Sequence, residues 1–241
     1  MKKIIVMSFL LIFSCKNAGE ITITKVEGST EYKDAKLSLK ESFWTEEGYL
    51  FSFDLENYEL GLQSSKKFEY ELANSAKGQH IHLILNNGPY SAKYSKDFIH
   101  DKWDTKAKNN VFLAFLSRSY HESVKNKNAY FLTQIGGEVA EKQDLSKELL
   151  FYSRPKGIYK GAETNHVLLD FYLVNTTLAP DGNKVRAIIQ DTEFLIDDWA
   201  AYYIEGLPKG EVSIKLELIN SEGDLVESPF NQSQRTFILE N

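Results

Sequence analysis

Apolar and polar residues alternate along this chain with a period of two. Phe51, Phe53 and Leu55 interleave with Ser52 and Asp54, and Val212, Ile214, Leu216 and Leu218 interleave with Ser213, Lys215 and Glu217. A period of two sends successive side chains to opposite faces, so each run predicts a strand with one buried and one exposed face. Turn residues punctuate the runs. Pro208 and Gly210 precede the second, and "NSEG" at 220–223 offers a hairpin turn before 224–226. Short strands separated by turns predict β-sandwiches.

The strands also recur in order. "YLFSFDLENYELG" at 49–61 matches "VLLDFYLVNTTLA" at 167–179, and "GQHIHLIL" at 78–85 matches "GNKVRAII" at 182–189. "NNVFLAFL" at 109–116 answers "GEVSIKLEL" at 210–218, and "ESVKNKNAYFLTQ" at 122–134 answers "ESPFNQSQRTFIL" at 227–239. Four matches in register indicate duplication. The expected architecture is all-β: two tandem immunoglobulin-like β-sandwich domains at 31–135 and 148–241. A polar linker with two glycines, "GGEVAEKQDLSK" at 136–147, joins them, and 15–30 reads as a tether. Copy one carries a longer insertion, "YELGLQSSKKFEYELANSAKG", where copy two has "TTLAPDG". Loops accept elaboration on a rigid scaffold, so the insertion is either a recognition loop or an unremarkable excursion.

Residues 1–14 form an expected cleaved signal peptide, with Lys2 and Lys3 ahead of an apolar run from Ile4 to Phe13. That run is shorter than the roughly 20 residues a membrane-spanning helix needs. Its end, Ile12-Phe13-Ser14-Cys15, resembles the lipobox of bacterial lipoproteins, although Phe13 departs from the small or aliphatic residue usual there. The resemblance implies lipidation of Cys15, and through it attachment to a membrane. Cys15 is the single cysteine, which excludes an intramolecular disulfide. Losing Lys2 and Lys3 moves the formal charge from -6 to -8, so the footprint of a general nucleic-acid binder is missing. Lys16 and Asn17 follow the cysteine with no acidic run behind them. The address this implies is an exported, lipid-anchored protein of the bacterial cell envelope, on the outer membrane and facing the periplasm.

Candidate chemistry concentrates in copy one, which holds His80, His82, His100 and His121 of the five histidines. In "HIHLIL", Ile81, Leu83 and Leu85 share one face, and His80, His82 and Ile84 the other. Same-face neighbours stand roughly 6.6 Å apart, close enough for imidazoles to converge on zinc or copper, with His121 as a third ligand. The duplicate offers a comparison. His80 corresponds to Lys184, His82 to Arg186 and His121 approximately to Val226. Lysine and arginine at matching positions predict an outward, solvated face and make the metal centre the lesser alternative. "FLSRSYHESVKN" at 115–126 places Arg118, Tyr120 and His121 beside one another, and arginine reads carboxylates and phosphates with a bidentate fork. The same stretch also reads as a plain polar hairpin loop.

No nucleophile elbow, phosphate loop, zinc-protease helix or paired-cysteine motif is present. Ser119 near His121 is not a catalytic pair by adjacency alone. The strings "KGQHIHLILNNGPYSAKY", "AFLSRSYHESVKN" and "LFYSRPKG" resemble a family of Bacteroidetes lipoproteins over nearly the whole mature chain. That family brings no established catalytic residues. The expectation is a non-enzymatic binding module for an envelope protein, peptide or glycan, with no cofactor. The alternative is a periplasmic zinc- or copper-binding lipoprotein using His80, His82 and His121.

Overall fold

Among the described residues, each copy folds as seven strands in two sheets. A computed structural model describes residues 19–101, 109–136 and 142–240. The signal peptide, Cys15 and residues 137–141 of the expected linker lie outside the described residues. Copy one comprises β2 (Lys36–Thr45), β3 (Gly48–Glu56), β4 (His80–Leu85), β5 (Ser91–Lys93), β6 (Asp97–His100), β7 (Asn109–Ser117) and β8 (Tyr130–Gly136). Its sheets run β2-β3-β6 and β5-β4-β7-β8. Copy two repeats the plan with β9 (Leu149–Arg154), β11 (Val167–Val174), β12 (Lys184–Ile189), β13 (Thr192–Ile196), β14 (Tyr202–Glu205), β15 (Gly210–Ile219) and β16 (Ser233–Leu239). Its sheets are β14-β11-β9 and β16-β15-β12-β13, with β1 (Thr22–Lys25) and β10 (Ile158–Tyr159) added at the edges. The chain is therefore all-β, a pair of sandwiches, as the periodicity predicts.

The reading of 15–30 as a tether is corrected by β1. Residues 22–25 pair antiparallel with β14 of the second sandwich, and Ile21 and Ile23 pack on its core. The amino-terminal segment therefore reaches past its own domain to extend the sheet of the other.

The sandwiches stack face to face in four layers. One face of β4 and β7 (Ile81, Leu83, Phe112, Ala114, Leu116) packs on Phe51 and Phe53 within copy one. The opposite face (Ile84, Val111, Leu113, Phe115) packs on Leu149, Phe151, Tyr172 and Val174 of copy two. Phe115 stacks on Tyr172 at 4.6 Å. β7, β9 and β11 are consequently buried on both faces. The far sheet of copy two keeps one face to solvent, where Glu217 pairs with Arg186 at 2.5 Å and Lys215 at 2.7 Å.

The insertion of copy one crosses this junction. Leu72, with Phe68 and Tyr70, packs on Val26, Tyr120, Leu168, Ala201 and Tyr203. Tyr70 meets Tyr203 at 4.5 Å between ring centres. The loop is a strap across the two sandwiches. Leu72→Ala is expected to cost about 2–3 kcal/mol. Limited proteolysis should then cut 57–79 before the strands are lost; unchanged protease resistance would count against the strap.

Candidate metal centre

The prediction that His80 and His82 face solvent is wrong. Both are fully buried, because the second sandwich covers the face of β4 they occupy. The comparison with Lys184 and Arg186 fails for a geometric reason. In copy two the same sheet is the outermost layer, whereas in copy one it is an inner layer. Duplicated strands share a fold but not an environment.

Three imidazoles converge in that junction. One ring nitrogen from each of His80, His82 and His121 lies within 4.8 Å of the others. His82 Nε2 is 2.9 Å from His80 Nε2, which is 3.1 Å from His121 Nδ1. His80 Nδ1 donates to the Gly78 carbonyl at 2.8 Å, so its Nε2 presents a lone pair. Gly78 has φ +79°, and a Cβ there would meet the Gly61 carbonyl oxygen at 2.3 Å, so this orienting carbonyl requires glycine. His82 Nδ1 lies 3.3 Å from Ser153 Oγ on β9, a hydroxyl able to donate or accept. The Tyr90 hydroxyl lies 3.2 Å from His121 Nδ1. Its ring stacks on His82 with centres 3.5 Å apart.

One lone pair on His80 thus faces two ring nitrogens. A proton satisfies one approach and leaves the other poor, while a cation accepts lone pairs from all three. An ion bonded to imidazoles at about 2.0–2.1 Å holds their nitrogens roughly 3.3–3.6 Å apart. Burial holds the His80 imidazole down at about 4, with Arg154 and Lys156 opposing protonation and the Gly78 bond favouring it. Burial likewise depresses His82 and His121, aided by the neighbouring rings and the same two cations. At neutral pH all three rings are uncharged, the state that ligates a metal.

His121 sits at φ +70°, a left-handed conformation that costs a non-glycine residue on the order of 1–3 kcal/mol and recurs at functional sites. Matching bridges, Ser117↔Ser123 and Ile219↔Leu225, identify its counterpart as Gly223, at φ +90°. The sequence match to Val226 was out of register. Where copy two relaxes the turn with glycine, copy one places an imidazole. His121→Gly is therefore expected to leave the protein about 1 kcal/mol more stable than His121→Ala, reversing the usual order. Chemical denaturation of the two variants checks this; Ala equal to or above Gly would remove the argument from strain.

The turn is held from three sides. Arg118 donates to Thr30 O at 3.1 Å and Ser123 O at 2.9 Å, and pairs with Glu122 at 3.2 Å. The amides of Ser64 and Ser119 each donate to the other's hydroxyl, at 3.1 and 3.0 Å, tying the turn to the strap. Asp170 of β11 accepts from Ser123 at 2.9 Å and pairs with Lys125 at 2.5 Å. Arg118 and Tyr120 are both largely buried, each at the wall of a separate open cavity. Arg118 builds the turn and Tyr120 packs under the strap. His100 stands apart on β6, edge-on to Phe112 at 5.3 Å.

Sequence reasoning missed Tyr90, Ser153, Arg154 and Lys156. The signal was in the three distinctive strings, which meet here in space. The first supplies His80, His82 and Tyr90, the second His121, and the third Ser153, Arg154 and Lys156.

No family model matches the chain, and no curated protein matches it. Among solved structures it is similar to the fibronectin(III)-like modules of Clostridium thermocellum CbhA: 7% identity over 92% of this chain and 94% of that one, TM-score 0.30. The central fibronectin-III array of RIM-binding protein is 8% identical over 88% of this chain and 72% of that one, TM-score 0.27. The two tandem V-type regions of VCBP3, a v-region-containing chitin-binding protein, are 6% identical over 92% and 99%, TM-score 0.23.

Proposed function

We propose that this protein is a non-enzymatic, lipid-anchored metal-binding protein of a bacterial envelope, holding one zinc or copper ion on His80, His82 and His121. The observation that carries the reading is the convergence of three ring nitrogens within 4.8 Å in a buried junction. The strained backbone at His121 and the fixed tautomer of His80 support it, since both orient a lone pair rather than fill a core. The address rests on Lys2, Lys3, the apolar run and Cys15. The broader reading, a module for a protein, peptide or glycan, loses the two strand histidines as contact residues because they are fully buried.

Titration calorimetry with Zn²⁺ and with copper tests the function. One ion per chain is expected, with binding lost in His121→Gly, a variant whose turn conformation suits glycine. Absence of heat with every ion, or undiminished binding by His121→Gly, would end the metal reading. Detergent phase partition tests the address: the chain should follow the detergent, and Cys15→Ser should return it to the aqueous phase.

A further inference from the structure

We infer that the centre is built for a monovalent ion, Cu(I), in preference to Zn²⁺ or Cu²⁺; this deepens the metal reading and rests on it. The donor set is three neutral imidazoles, with one phenol beside them. Among the described residues, no carboxylate hydrogen-bonds any of the three rings. The charged groups that act on the rings are Arg154 and Lys156, both positive. Arg154 is buried and donates to the Tyr159 hydroxyl at 2.9 Å. Lys156 lies 3.7 Å from the centre of the Tyr90 ring and donates to the Tyr90 carbonyl at 2.6 Å, behind the ring that stacks on His82.

Two electrostatic costs follow, and both rise with ionic charge. Repulsion from a fixed cation doubles on going from a monovalent to a divalent ion. Transfer into a low-dielectric site scales with the square of the charge, so the divalent ion loses roughly four times as much solvation. Divalent ions ordinarily recover that loss from a carboxylate, a thiolate or an ionised water. Here the position beside His121 is taken by the Tyr90 hydroxyl, 3.2 Å from its Nδ1, and not by a carboxylate or a thiolate. The rings of Tyr90, Tyr94 and Phe115 pack around the imidazoles. A closed-shell monovalent ion needs no anionic fourth ligand. Three nitrogens complete it.

The test is a competition titration on the full-length protein. Cu(I) is presented anaerobically with ascorbate against bathocuproine disulfonate, and Zn²⁺ against a fluorescent zinc chelator. Cu(I) is expected to bind one per chain, at least tenfold more tightly than Zn²⁺. Lys156→Met removes one flanking charge from a half-buried site. It should raise both affinities, with the logarithmic gain for Zn²⁺ about twice that for Cu(I). Zinc binding more tightly than Cu(I) would overturn the inference and leave the metal reading standing. Equal gains for the two ions in Lys156→Met would overturn the charge argument. Failure of both ions to bind would remove the inference together with the reading beneath it.

Discussion

Replacing Asp170 with alanine is expected to cost about 3–5 kcal/mol of stability and to weaken metal binding roughly 10- to 100-fold. Asp170 is wholly buried on β11, in the second sandwich, yet all its side-chain partners belong to the first. Ser123 donates through its hydroxyl at 2.9 Å and its amide at 3.3 Å, and Lys125 approaches to 2.5 Å. Truncation leaves Lys125 nearly buried with the neutral Ser123 hydroxyl at 2.8 Å as its remaining partner, and an uncompensated buried charge is what makes breaking such pairs expensive. The link to the centre runs through the turn. Ser123 is two residues from His121, and the Arg118–Ser123 bond closes the loop that holds His121 at positive φ. Asp170 touches no ring, so it is a positioning residue. Asp170→Asn keeps a hydroxyl contact and loses the charge pair; its effect should be smaller on both measures. Urea denaturation read beside metal titration separates this from plain destabilisation. Ile214→Ala lowers stability in the core of the far sheet and should leave affinity unchanged, whereas Asp170→Ala should move both. A cost below about 1 kcal/mol, typical of surface pairs, would show the junction is not anchored there.

How much of this was legible before the structure depends on which layer a residue occupies. The outer strands advertised themselves: Val212, Ile214 and Leu216 alternate with solvent-facing partners, and the sheet they form has one wet face. The inner strands carried a different mark. "NNVFLAFLS", "LLFYSR" and "VLLDFYLV" lack clean alternation because both faces are covered, which is the pattern of a strand inside a stack. Attending to those runs would have predicted that the sandwiches pack face to face, and so that the outward face of β4 is buried. The alternation of Ile21 and Ile23 with Thr22 and Thr24 likewise foretold β1, but no local pattern says that a strand joins the distant domain. The centre itself was half legible. His80 and His82 share a face by arithmetic, while His121 arrives through a turn whose register only the paired bridges reveal. Tyr90, Ser153 and Lys156 lie in the distinctive strings, but only tertiary packing brings those strings to one place.

Acid should unfold the metal-free protein well before it protonates the native centre. The reason lies in linkage between protonation and folding. In the unfolded chain each imidazole titrates near its ordinary value, about 6.5. In the native state burial holds His80 at about 4 and keeps His82 and His121 well below their ordinary value. Between those limits the unfolded state binds protons that the folded state refuses, so stability falls as pH falls. The contribution is full above about pH 7 and is lost progressively from about 6.5 toward 4. One proton per pH unit is about 1.4 kcal/mol, so three rings together should cost about 6 kcal/mol between pH 7.5 and 5. That loss matches the entire stability of many domains. Urea midpoints measured across this range should drop steeply, and His121→Gly should remove about a third of the slope. A flat profile would mean the rings are solvated or already charged. The same depression makes a second, opposite expectation for the ion. A surface histidine site releases its metal as protons compete near pH 6.5, but here native nitrogens stay unprotonated until far lower. Metal affinity, read at protein concentrations where the fold persists, should change little between pH 7.5 and 5.5 while stability collapses. If affinity instead declines in step with an ordinary imidazole, the three rings do not share the buried junction that places them together.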